Sequence, residues 1–209
     1  MLDDRKWTNR LAARSPLAHP APTDDGAQGK SSAGLIVRLL DNIGIVGISA
    51  RAGRGDKLAA QVRERFGIDL PAGPACVTSG ATTCIGIGPG QWLVAIDGAS
   101  DRDALGDLAS ALGDCAVLVD QSDAKCMLRL TGADTRAVLA QGLTLDLHPR
   151  AFQPGCAAQS LIAHIGVLIW QTDDAPTYQI AVPRSYMESF WHWLVDAAAP
   201  HGMALDDRG

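Results

Sequence analysis

The order of structural signals along this chain runs twice, and that constrains its fold more than any single motif. Between Leu35 and Ala198 each half reads strand, helix, strand, strand, helix. Leu35 to Ser49 is rich in β-branched residues. Asp56 to Phe66 then carries Leu58, Ala59, Val62 and Phe66 on one helical face. A strand pair follows, Thr82 to Ile87 and Gln91 to Ile96. Next is a helix over Asp101 to Leu112, with Leu105, Leu108 and Leu112 inward and Ser100 as N-cap. The second half offers strands at Ala116 to Asp120 and Cys126 to Leu130, and a helix at Asp134 to Gln141. A strand pair at Ser160 to Gln171 and Tyr178 to Val182 precedes a last helix at Ser185 to Ala198. The first helix of each half ends in a similar string, Phe66-Gly67-Ile68-Asp69-Leu70-Pro71 and Leu143-Thr144-Leu145-Asp146-Leu147-His148-Pro149. A tryptophan, Trp92 or Trp170, marks each strand pair. Two such halves predict an α+β protein with mixed or antiparallel sheets covered by helices. The expected division is an N-terminal arm and linker over 1–34, a first half over 35–113 and a second half over 114–209.

The stretch GIGPGQWLVAI at 86–96 is the one place where glycines suggest a phosphate loop. A dinucleotide fingerprint needs Gly-x-Gly-x-x-Gly between a strand and a helix. Gly86, Gly88 and Gly90 have the wrong spacing, and Gln91 stands where the third glycine belongs. A β-type run follows, so a phosphate would meet no helix N-terminus. Gly88-Pro89-Gly90-Gln91 reads instead as a type II turn, with proline fixing φ and glycine supplying a positive φ.

The remaining composition excludes several classes. The 209 residues are 47% hydrophobic and 20% charged, the balance of a globular chain with a core. The net charge of −5 argues against a nucleic-acid surface. Arg51, Arg54, Lys57, Arg63 and Arg65 form a basic concentration that reads as a solvated helix face or, more sharply, as a docking patch for an acidic partner. No apolar run approaches the roughly 20 residues of a membrane span, and the first residues carry two acids and no apolar signal region. Five scattered cysteines without a Cys-x-x-Cys pair suggest reduced thiols and a cytoplasmic chain.

Reactive constellations are not apparent. The histidines at 19, 148, 164, 192 and 201 lack metal-ligand spacing. His164 is expected inside an apolar strand. Cys156, in Pro154-Gly155-Cys156-Ala157, has the loop position of a nucleophile but no accompanying signature, so it reads as a small residue where a strand begins. No Gly-x-Ser-x-Gly elbow occurs. The reading is therefore of a chain without catalytic, cofactor-binding or metal residues of its own. Residues 20–34, rich in Pro, Gly, Ser and Asp, read as a linker. The arm before it carries Trp7, Leu11 and Leu17, which could dock on its own domain or on a partner. Trp191 and Trp193 flank His192 and point to different faces of one helix. Either one of them meets a partner, or the helix lies between a sheet and a loop of its own domain.

The ordered strings Arg14-Ser15-Pro16-Leu17, Pro89-Gly90-Gln91-Trp92-Leu93, Val119-Asp120-Gln121-Ser122-Asp123, Leu130-Thr131-Gly132, Asp146-Leu147-His148-Pro149-Arg150-Ala151-Phe152, Pro183-Arg184-Ser185-Tyr186 and Ser189-Phe190-Trp191-His192-Trp193-Leu194 span nearly the whole chain. Together they resemble the gamma subunit of heterotetrameric sarcosine oxidase. The corresponding small subunit of N-methylglutamate dehydrogenase is a close alternative, and a stand-alone folate-binding aminomethyltransferase a more distant one. The resemblance implies a fold like the folate-binding domain of glycine cleavage T-protein. It implies a non-catalytic structural subunit, packed chiefly on an alpha subunit, with beta and delta in the same complex. Such complexes oxidatively demethylate sarcosine with FAD, FMN and NAD and pass the one-carbon unit to tetrahydrofolate. The larger subunits hold the flavins, and delta holds zinc. A folate-binding relative carries Lys-Gly-Cys-Tyr-x-Gly-Gln-Glu, of which only Gly155-Cys156-Ala157-Ala158-Gln159 is echoed, so that role is not transferred. The expected interface residues are Trp7, Leu11, Leu17, Trp191 and Trp193.

Overall fold

The structure, a computed structural model, describes residues 33–98 and 101–206, with backbone alone at 101–105 and 107. Trp7, Leu11, Leu17, His19, Ser100 and the side chain of Leu105 therefore lie outside the described residues.

Two sheets form the centre. Strands β1 (Leu35–Leu40) and β2 (Ile43–Ala50) precede helix α1 (Gly55–Phe66). Then follow β3 (Cys76–Ser79), β4 (Thr82–Gly88), β5 (Gln91–Asp97) and α2 (Asp101–Leu112). The second half runs β6 (Ala116–Asp120), β7 (Lys125–Thr131), α3 (Thr135–Leu139), β8 (Ala157–Ile162), β9 (Ile165–Asp173), β10 (Thr177–Pro183), α4 (Met187–Ala198) and β11 (Met203–Leu205). One sheet has the order β3-β4-β5-β2-β6, the other β11-β1-β7-β10-β9-β8. All pairings are antiparallel except β1 with β11.

The two sheets are related by a pseudo-twofold, and the hydrogen bonds locate it. Ala75 and Cys156 face each other in an isolated antiparallel bridge. Around it Cys76 N donates to Gly155 O (2.7 Å), and Ala157 N donates to Pro74 O (3.1 Å). Gly86 N donates to Ala75 O and Gln171 N to Cys156 O. Each bond is the image of its mate when residue 75 maps on 156. Under this mapping β3, β4, β5 and β2 correspond to β8, β9, β10 and β7. The strands that flank β2 and β7 are exchanged: β6 joins the first sheet, and β1 joins the second.

Period-two alternation then builds four layers. On β2, Val46 and Ile48 face α1 and α2, while Ile45 faces the other sheet. On β5, Trp92 and Val94 face the helices and Leu93 and Ala95 face inward. In the second sheet Leu128, Leu130, Ile180 and Val182 pack on α3 and α4, while Met127, Ala181, Leu168 and Trp170 meet the first sheet. The result is helix, sheet, sheet, helix, with three apolar layers between.

Several expectations change in detail. Ser160 to Gln171 is two strands, turning at Ala163 and His164, whose φ values of 47° and 69° mark a two-residue reverse hairpin. Such a turn favours Asn-Gly, so Ala-His gave no signal, and His164 sits exposed at its tip instead of inside a strand. Trp92 and Trp170 are not equivalent positions: Trp92 faces the helices, while Trp170 lies between the sheets. The GIGPGQ stretch is the turn of the β4–β5 hairpin, with Gly90 at φ 67°. Gly86 is glycine because an added Cβ would stand 2.0 Å from the carbonyl oxygen of Gly73.

Candidate functional site

A cavity of about 590 Å³ opens where the two sheets part, below the β6–β7 crossover. Ile87, Leu93 and Leu168 form its apolar wall, and Gln121, Gln159 and Lys125 its polar rim. Gln159 Nε2 is engaged by Ile87 O at 2.8 Å. Gln121 lies over Gly47, where a Cβ would come within 2.5 Å of its Nε2. Burial holds the Lys125 ammonium below its usual range. The volume falls within the range of small-molecule pockets, and the hydroxyl in its lining, Ser160 Oγ, is engaged with Thr144 Oγ1 at 3.1 Å.

The crossover itself is held by a buried hydroxyl. Ser122 Oγ accepts from Ile45 N at 2.9 Å and donates to Asp120 Oδ1 at 2.8 Å. Asp120 Oδ1 also accepts from Ser122 N, and Gln121 N donates to Ile45 O. This network prolongs the β2–β6 ladder by side chain after β6 has ended, and fixes the chain where it leaves one sheet for the other.

The thiols are placed for packing. Cys84, Cys115 and Cys126 are buried, and Cys76 and Cys156 half-buried beside the pseudo-twofold bridge. Burial pushes Cys84 up to about 12 and, with Cys156 nearby, Cys76 up to about 11. A nucleophile needs the opposite shift. Exposed His148 accepts from Arg150 N, exposed His192 lies on α4, and His201 lies 3.4 Å from Asp134. Among the described residues no group of three or more His, Cys, Asp or Glu side chains could hold a metal ion. The basic residues Arg51, Arg54, Lys57, Arg63 and Arg65 are exposed, and Arg63 pairs with Asp69.

Helix α4 packs both tryptophans against its own domain to different degrees. Trp191 is 6% exposed, in the layer between α4 and the six-stranded sheet. Trp193 is half-buried, its ring centre 5.7 Å from that of Phe190, and it covers the backbone of Gly142. A sequence reading could not separate them, because the α3–α4 contact that covers Trp193 depends on Gly142, a residue 51 positions away.

The architecture defines a class, the duplicated two-sheet α+β chain. It is shared with the glycine cleavage system aminomethyltransferase T from Bartonella henselae (TM-score 0.60, 10% identity, covering 83% of this chain and 48% of that one). At that identity the likeness is one of fold. Residues 52–200 match the sarcosine oxidase, gamma subunit family, and the chain belongs to that family. The sarcosine oxidase subunit gamma of Corynebacterium sp. (strain P-1) is 33% identical over 189 residues, covering 88% of this chain and 89% of the relative. That of an Arthrobacter species is 30% identical over 187 residues, with coverage of 88% and 89%. A chain of the heterotetrameric sarcosine oxidase from Corynebacterium sp. U-96, solved with pyrrole 2-carboxylate, aligns with TM-score 0.76 at 30% identity, over 92% of this chain and 97% of that one.

Proposed function

We propose that this chain is a non-catalytic, structural subunit of a sarcosine-oxidising complex, packed chiefly on the alpha subunit. The observation that carries this reading is a likeness to a chain of a heterotetrameric oxidase over 92% of this chain. FAD, FMN, NAD and zinc would be held by the alpha, beta and delta chains. The complex would remove the methyl group of sarcosine and pass the one-carbon unit to tetrahydrofolate in the cytoplasm. The contact would use the arm with Trp7, Leu11 and Leu17 and the exposed flank of α4 beside Trp193. Trp191, already buried at home, would contribute by holding that helix in place. Obligate interfaces of this kind commonly exceed roughly 2,000 Å².

Co-expression of the tagged full chain with the three partner chains tests this. The expected result is stoichiometric recovery of a yellow complex that oxidises sarcosine. An isolated chain that oxidises an amine or retains a flavin would refute it, as would a monomer that never associates with the larger chains. Comparing sarcosine with N-methylglutamate as substrates of the recovered complex decides between the two related oxidase systems.

A further inference from the structure

The ladder of the six-stranded sheet sets four hydrogen-bond donors side by side. Arg38 on β1 is the direct partner of Arg129 on β7. Arg129 is the partner of Gln179 on β10, and Gln179 of Trp170 on β9. Directly paired residues point to one face, and Trp170 places that face between the sheets. Among the described residues, neither guanidinium is paired with a carboxylate. Arg129 Nε and Trp170 Nε1 are buried with no hydrogen-bond acceptor, and Trp170 is 0% exposed. Like charges directly opposite one another destabilise a sheet, and buried donors without acceptors do so further.

The pseudo-twofold supplies an internal comparison. The matching row of the other sheet is Val119, Gly47, Leu93 and Ile85, register partners in the same order. Its own side chains are apolar, and the one donor over it is the neutral amide of Gln121 above Gly47. The fold therefore does not require charged donors at these positions.

We propose that the row Arg38–Arg129–Gln179–Trp170 binds a doubly charged oxyanion, as carried by a phosphate monoester or a dicarboxylate. Two half-buried guanidiniums supply two positive charges in fork geometry suited to oxyanions. The amide of Gln179 and the indole N–H of Trp170 add neutral donors along the same row.

Calorimetric titration of the isolated full chain at low ionic strength and pH 8 tests the proposal, with inorganic phosphate and succinate as probes and acetate as the singly charged control. Saturable binding of phosphate or succinate, at least tenfold tighter than acetate, is expected. Arg38→Gln and Arg129→Gln should each weaken it about tenfold or more, and Trp170→Phe several-fold, while Lys57→Gln on the exposed helix leaves it unchanged. Circular dichroism of each variant checks folding, and without ligand Arg129→Gln should melt no lower than the parent. Absence of saturable binding, equal binding of acetate, or undiminished binding by both arginine variants would overturn it. Repeating the titration on the assembled complex separates two sources of the oxyanion. Retained binding assigns a diffusible ligand, and loss on assembly assigns a partner's carboxylates. The titration of the isolated chain does not depend on the proposed assembly.

Discussion

Replacing Ser122 by alanine should destabilise the chain by about 2 kcal/mol, because it strands a buried donor. Ser122 is 9% exposed, and its Oγ is the acceptor for Ile45 N on a central strand. Without the hydroxyl, that N–H has no acceptor within the protein, and an unsatisfied buried donor costs about 1–3 kcal/mol. The cavity left by one oxygen is small, so the hydrogen-bond term dominates. For a chain of this size about 2 kcal/mol corresponds to a fall of roughly 4–8 °C in Tm. Urea unfolding of the isolated full chain, followed by circular dichroism, gives the difference directly. Ser122→Thr keeps the acceptor and should lose about 1 kcal/mol or less. Asp120→Asn keeps one acceptor oxygen for Ser122 N and should fall between the two. If Ser122→Ala unfolds within about 0.3 kcal/mol of the parent, the crossover is held by something other than this network and the reasoning fails.

Other outcomes follow from single contacts. Gly142→Ala would put a methyl group 2.7–2.8 Å from three atoms of the Trp193 indole. The ring must swing away, with a loss of about 1–3 kcal/mol and a shifted tryptophan emission. Replacing Ala163-His164 by Asn-Gly places residues that favour positive φ at both turn positions, and should raise stability by about 0.5–1 kcal/mol in the same urea assay. The thiols Cys76 and Cys84 are held above their ordinary value of 9.0. The unfolded chain therefore releases these protons first, and stability, complete below about pH 9, should decline progressively from there toward pH 11–12. A urea midpoint that stays flat from pH 8 to 10.5 would contradict this. In the same range, native Cys84 should resist a thiol reagent that modifies it at once in the unfolded chain.

The sequence carried the element types and the alternation because those are local. Leu58 and Val62 on α1, and the Pro89-Gly90 turn, are read from spacing and from residues that prefer one backbone conformation. The duplication was also legible from order. Its geometry was not: the exchange of β1 and β6 is a choice of pairing partner, made across the whole fold. Strands β3 and β11 leave no sequence signal, since short edge strands such as Cys76–Ser79 and Met203–Leu205 carry too few alternations to register. The donor row was invisible for the same reason, as Arg38 and Arg129 are neighbours only through register. The polar residues of the inter-sheet cavity, Gln121, Lys125 and Gln159, likewise come from separate elements. By contrast, the resemblance to a family is legible in short strings in order, and one of them, Asp120-Gln121-Ser122, builds the crossover network.

The exchange of β1 has a temporal side. On a ribosome, Leu35–Leu40 emerges 85 positions before its antiparallel neighbour β7 begins at Lys125. At about 5–20 residues per second that is a wait of about 4–17 s, during which a hexapeptide with five apolar residues around Arg38 has neither edge satisfied, since β11 comes later still. The nascent first half therefore dwells with an orphan strand at its leading end, and its exposure to chaperones or to premature self-association is written into the topology.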